Sequence, residues 1–224
     1  MKRLIVISGA GTYPEILVRN AKASSVERVD VLAIRGSTSS RTCKAADSVK
    51  RFGVGQIAPA VEWVASQNYD GAILAGQISP ISLFRTKFDS LTRKWLSELK
   101  TKNAHSIFGR LVEEFERRGV RILPASCYMD GCIPSAGVLT RRAFSERERS
   151  DIAYAQEVAA DIGIHDVGQS VLVKDGMVLA VEAFEGTNNA IRRGGRLGKG
   201  GSVIFKAARE GHDMRFDIPV IGLK

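Results

Sequence analysis

The chain has 224 residues, 44% of them hydrophobic, and its 33 Lys and Arg against 24 Asp and Glu give a formal net charge of +9. That length and apolar content allow one large domain or two small ones with a real core, and they exclude a disordered chain. No apolar run reaches the roughly 18 residues that a spanning helix needs. The excess of positive charge favours anionic partners. The basic residues are dispersed, aromatics are few and no nucleic-acid module is present, so the expectation is no nucleic acid but phosphate-bearing small molecules or an anionic membrane.

The first half alternates strand and helix patterns. "RLIVIS" (3–8) reads as a buried strand, too short for a secretory segment, so a cytoplasmic location is expected. "YPEILVRNAKA" (13–23) reads as a helix, with Pro14 tolerated in its first turn. Strands at 29–34, 71–76 and 120–125 follow, with helices at 57–67, 90–100 and 105–119, the last closed by Gly119. This order predicts an α/β fold with an N-terminal Rossmann-like, doubly wound parallel sheet. The pattern changes near 130–140, which sets domains at 1–133 and 134–224. The second reads as α+β: a helix near 146–162, a β-hairpin turning at Lys174-Asp175-Gly176, then a Gly-rich basic loop from Asn188 and another strand.

Four stretches carry candidate chemistry. In "SGAGTYP", Gly9, Gly11 and Thr12 follow the first strand, where amides at a helix N-terminus can meet phosphate; a tight strand–helix turn is the simpler alternative. The third glycine of a dinucleotide fingerprint is missing, and Arg35 and Arg41 stand where a 2′-phosphate would be held, so an NADP-binding oxidoreductase is one reading. Glu182, Glu185, Thr187, Asn188 and Asn189 crowd one end of the hairpin near Gly168 and Gln169; they are either a site or exposed hairpin ends. "EGHDMRFDIPVIG" (210–222), read as a strand, puts Asp213, Arg215 and Asp217 on one face. That face is either a surface salt-bridge ladder or two hard oxygen donors for Mg²⁺ around an arginine that holds a phosphate oxygen. Phe84, Phe88, Leu91 and Trp95 keep a helical spacing beside Arg85, Lys87, Arg93 and Lys94, which suits core packing, an acyl chain or a membrane surface.

"DVGQSVLV", "VLAVEAFEGTNNAI" and "HDMRFDIPVIG", in that order, resemble the signature blocks of the two-domain, non-calcineurin UDP-2,3-diacylglucosamine diphosphatases of lipid A synthesis. "ISGAGTYPEILVRNA" and "GAILAGQISP" are similar to that family's first-domain blocks. The resemblance implies Mg²⁺-assisted hydrolysis of the substrate's pyrophosphate to UMP and 2,3-diacylglucosamine 1-phosphate, at the inner face of the cytoplasmic membrane, with a homodimer as the family's expected state. It implies a catalytic aspartate at Asp213, or else Asp217, with Arg215 beside them. It marks Gln169, Glu182, Glu185, Gly186, Thr187 and Lys206 as further site residues. Asn188 stands where the family has aspartate, His212 where it has glutamine, and Ser79 where it has arginine before the proline. Family members continue beyond "VIGLK", so a C-terminally shortened second domain is expected. These departures leave a third reading, a silent relative that binds the acylated sugar phosphate without cleaving it.

Overall fold

β1 (Arg3–Ser8) is buried from Leu4 onward, as a strand covered on both faces must be. It lies in the middle of a four-stranded parallel sheet of order β3-β2-β1-β4, with β2 at Arg28–Ile34, β3 at Ser48–Phe52 and β4 at Gly71–Ala75. Leu4 pairs with Val29 on one side and with Gly71 on the other. This computed structural model describes residues 1–78, 86–100, 104–208, 213, 215 and 218–221, without the side chains of 104 and 105.

Helices cover both faces of the parallel sheet. Ile5, Ile7, Leu32, Ala72 and Leu74 meet α3 (Ile57–Ala65), α4 (Ser90–Ser97) and α5 (Ala104–Glu116) in the main core. α1 (Tyr13–Ala23) buries Leu17, Val18 and Ala21 and contacts β1, β2 and β4. The short α2 (Ser40–Ala45) is capped by the Ser39 hydroxyl, which accepts from the Thr42 amide. The fold class is the expected one. The stretch 120–125 differs from expectation: it makes a single bridge, Ile122 to Ala72, because the chain turns away after two hydrogen bonds. Leu91 and Trp95 belong to the core, and Phe84 lies outside the described residues.

The chain divides into two compact units, the first built on Met1–Ile133 and the second beginning at Pro134, with Asp213 and Arg215 belonging to the first. In the second unit β5 (Ser170–Lys174), β6 (Met177–Val181) and β7 (Val203–Lys206) form an antiparallel sheet of order β6-β5-β7. α6 (Glu146–Ile164) packs Ala155 and Ile162 against Val171, Val173 and Phe205. Ser145 and Glu148 close its start as a reciprocal capping box.

The Gly-rich basic stretch expected as a loop is a helix, α7 (Thr187–Gly198). Ala190, Gly194 and Gly198 lie on its buried side. A Cβ at Gly194 would stand 2.6 Å from Leu172 Cδ2, and one at Gly198 would stand 2.8 Å from Leu179 Cδ1. The glycines let the helix axis approach the sheet, and that burial outweighs their poor helix propensity of about 1 kcal/mol each.

Candidate functional site

Ser170, Glu182 and Lys206 arrive at one end of the antiparallel sheet because the register demands it. Ser170 pairs with Lys206, Val171 pairs with Val181, and the Glu182 amide donates to Ser170 O at 2.8 Å. Gly168 is required beside them, since a Cβ there would stand 2.1 Å from Glu182 O. β6 has already ended at Val181, so strand alternation does not govern Glu182 and Glu185. The chain turns through Gly186, with φ 78°, into α7, and Thr187 enters the cluster.

The Thr187 hydroxyl donates to Glu182 Oε1 at 2.7 Å and accepts from Lys206 Nζ at 2.6 Å. The Ser170 hydroxyl donates to Glu182 Oε2 at 2.5 Å, and the Lys206 ammonium lies 3.7 Å from that oxygen. Both carboxylate oxygens are therefore held, and the Thr187 proton has a fixed direction. An ammonium carries three N–H donors, and one is spent on Thr187. Thr187 opens α7, where the Asn189 and Ala190 amides donate to Gly186 O, and the first two amides of a helix have no acceptor within it. Ammonium and helix N-terminus together favour an anion such as phosphate.

Glu185 takes a different partner. Arg193 donates to Glu185 Oε1 at 2.6 Å and to Val181 O at 2.8 Å, and the arginine hydrogen bond holds the Glu185 carboxyl below its usual range. Asn188 is exposed on the first turn of α7, and Gln169 O accepts from the Ala207 amide.

In the first unit, Gly9, Gly11 and Thr12 sit where β1 and β4 part, the switch point at which such sheets take ligands. The Gly9 amide donates to Ala75 O at 2.8 Å and the Ala10 amide to Gln77 O at 2.7 Å. Those two amides are spent inside the fold, so a dinucleotide cradle built on them is not formed. Gly11, with φ 102°, leads into α1 with open space around it, and the Thr12 hydroxyl does not cap the helix. Next to this turn an apolar cavity is lined by Ile7, Val61, Leu74, Ile107, Phe108 and Phe115. Arg35 and Arg41 are exposed.

Asp213 and Arg215 do not share a strand face. The Arg215 amide donates to Asp213 Oδ1 at 2.9 Å, an Asx-type turn that an extended strand does not allow. Arg215 Nη2 reaches Asp213 Oδ2 at 2.7 Å, and its Nη1 reaches Glu116 Oε1 at 2.6 Å. The Asp213 hydrogen bond raises the arginine's pKa above its usual value. Asp217 and His212 lie outside the described residues. Among the described residues no three carboxylate, histidine or cysteine side chains converge, and both Asp213 oxygens accept from Arg215.

Ser170, Arg193 and Glu116 are side chains of these clusters that sequence reasoning does not single out. Ser170 directly follows Gln169 in a quoted block, but only the strand register brings it to Glu182. Arg193 was hidden by the reading of its segment as loop.

The fold and these clusters define a two-unit α/β protein with a phosphate-suited helix start in one unit and a switch-point turn beside an apolar cavity in the other. The chain belongs to the LpxI family: residues 3–132 match the LpxI N-terminal domain and residues 135–224 the LpxI C-terminal domain. It is 28% identical, over 100% of its own length and 82% of the relative's, to a Caulobacter vibrioides protein named UDP-2,3-diacylglucosamine pyrophosphatase LpxI. A solved phosphoribosylglycinamide synthetase from Anaerococcus prevotii is 13% identical at a TM-score of 0.32, matching 92% of this chain and under half, 46%, of its own; so low a likeness bears on neither fold nor function.

Proposed function

We propose that the chain hydrolyses the pyrophosphate of UDP-2,3-diacylglucosamine, releasing UMP and 2,3-diacylglucosamine 1-phosphate for lipid A synthesis. The observation that carries this reading is the match of both LpxI domains, in order, across nearly the whole chain. The local chemistry agrees with it. Lys206 and the start of α7 suit a phosphate, and the apolar cavity beside the Gly9–Thr12 turn suits an acyl chain.

In this reading Asp213 takes a proton from the attacking water, once Arg215 yields one of its bonds to that carboxylate; Asp217 is the alternative base. Arg215 in the first unit and Lys206 in the second are each suited to charge on a phosphoryl oxygen. Thr187, held by Glu182, orients Lys206, with Glu185, Gly186, Asn188, Gln169 and the Gly9–Gly11–Thr12 turn as further substrate contacts. Mg²⁺ with Asp213 and Asp217, a homodimer and a peripheral place on the inner membrane face belong to the same proposal. No helix among the described residues is long and apolar enough to cross a membrane.

The test is UMP release from UDP-2,3-diacylglucosamine in detergent, followed by chromatography with Mg²⁺ or with EDTA. Wild-type protein releases UMP; Asp213→Asn loses at least a hundredfold, and Lys206→Met loses about a hundredfold, as for removal of one transition-state donor. Full activity of Asp213→Asn rejects its role, and equal rates in EDTA reject the metal. Lipid binding with no turnover identifies a silent relative.

A further inference from the structure

Several arginines of the chain are neutralised by neighbours, while others, among them Arg35, Arg51 and Arg149, form no salt bridge among the described residues. Arg110 and Arg118 pair with Glu114, Arg142 with Glu148 and Arg147 with Asp175. α7 and its C-cap gather three cations of the unpaired kind. The helix contains no acidic residue, and Lys199 follows directly as its left-handed C-cap, with φ 51°. Arg193 is bound to Glu185, but Arg192 donates to Asn189 Oδ1 at 2.8 Å and Arg196 to Arg192 O at 3.4 Å. Among the described residues Arg192, Arg196 and Lys199 form no salt bridge. At 3.6 residues per turn, their spacing of four and three places them on one face, opposite the Ala190–Gly194–Gly198 stripe that grips the sheet. All three are exposed.

We propose that this face of α7 is the surface by which the protein docks on anionic lipid. The inference rests on the lipid substrate proposed above and specifies which surface meets the bilayer. Three cations held together without counter-ions favour a dense anionic plane, and each cation near such a surface lowers the free energy of binding. The face lies on the helix whose first turn carries Thr187, so docking presents that turn to the layer that holds the substrate.

The test is co-sedimentation of the whole chain with vesicles of phosphatidylcholine alone, or with one third phosphatidylglycerol, over a salt series. The comparison variant is Arg192→Gln/Arg196→Gln/Lys199→Gln. A control variant, Lys44→Gln/Arg51→Gln/Arg121→Gln, removes the same charge from exposed positions of the first unit. Wild-type protein partitions onto the anionic vesicles and releases them as salt rises. The α7 variant loses about a hundredfold in partition coefficient while keeping its thermal melt and its UMP release from detergent-dispersed substrate. The control loses only a few-fold. Equal losses in the two triple variants overturn the proposal, as does wild-type protein that ignores anionic vesicles. Tighter binding of an oligonucleotide, lost in the α7 variant, also overturns it and assigns the face to nucleic acid. Vesicle binding without UMP release would sink the proposed hydrolysis and leave the docking face standing.

Discussion

Where β1 ends, the chain turns against the exit of β4 so closely that a Cβ at Gly9 would stand 2.6 Å from Gln77 O. Midway along α7, a Cβ at Gly194 would stand at the same 2.6 Å from Leu172 Cδ2. The distances are equal, but the obstacles are not. Gln77 O belongs to a backbone bridge that accepts the Ala10 amide, while Gln77 N donates back to Ala10 O at 2.9 Å. Leu172 is met at side-chain atoms, its Cδ2 and, at 3.1 Å, its Cβ, and not at the main chain. One glycine guards main-chain pairing, and the other guards a packing distance. Gly195, next in the helix, meets nothing within 4 Å and guards neither.

The largest expected effect is therefore at Gly9. Gly9→Ala must push Gln77 away and open the Ala10–Gln77 bridge, costing about 3 kcal/mol in urea unfolding of the first unit. Gly194→Ala should cost the second unit about 1 kcal/mol, because overpacking against Leu172 is partly offset by better helix propensity. An equal or larger cost at Gly194 would break the comparison. Gly195→Ala should stabilise by about 0.5–1 kcal/mol, since only propensity changes. A loss there would mean that this side of α7 is covered.

The smallest effect sharpens a second contrast, between helix starts. α6 begins on a capping box, whereas α7 begins at Gly186 with no side-chain cap. Arg142 first, and then the Ser145 amide and hydroxyl, hold the Glu148 carboxyl far below its usual range. A lowered folded pKa contributes stability above the unfolded pKa, near 4.3, that is lost as pH falls below it. The melting temperature should thus fall on acidification below about pH 4.5, and Glu148→Gln should flatten that fall. An unchanged slope in the variant would place the acid sensitivity elsewhere.

Much of the first unit was legible because its signals are local. The runs at 3–8, 13–23 and 71–76 carry a burial pattern that one strand or helix satisfies by itself. α2 and β3 gave no such signal: one is six residues long, and in the other Phe52 is the sole buried residue. The stretch 120–125 reads as a strand but forms one bridge, because pairing needs a partner that stays alongside. In the candidate site, the motif blocks pointed to Glu182, Thr187 and Lys206 one by one. That they meet at one hydroxyl follows from the Ser170–Lys206 register and the turn at Gly186.

Sequence alone determined the alternation of strands and helices, the hairpin turn at Lys174-Asp175-Gly176 and membership of the blocks that resemble a family, since each depends on residues close together in the chain. Tertiary structure decided that a glycine-rich basic stretch is helical, because its stability comes from approach to Leu172 and Leu179 rather than from its own propensity. It also decided that Gly9 and Ala10 spend their amides on Ala75 and Gln77, and that Arg215 reaches back to Glu116. Each of those contacts joins residues far apart in sequence, and no local pattern encodes a distance between them.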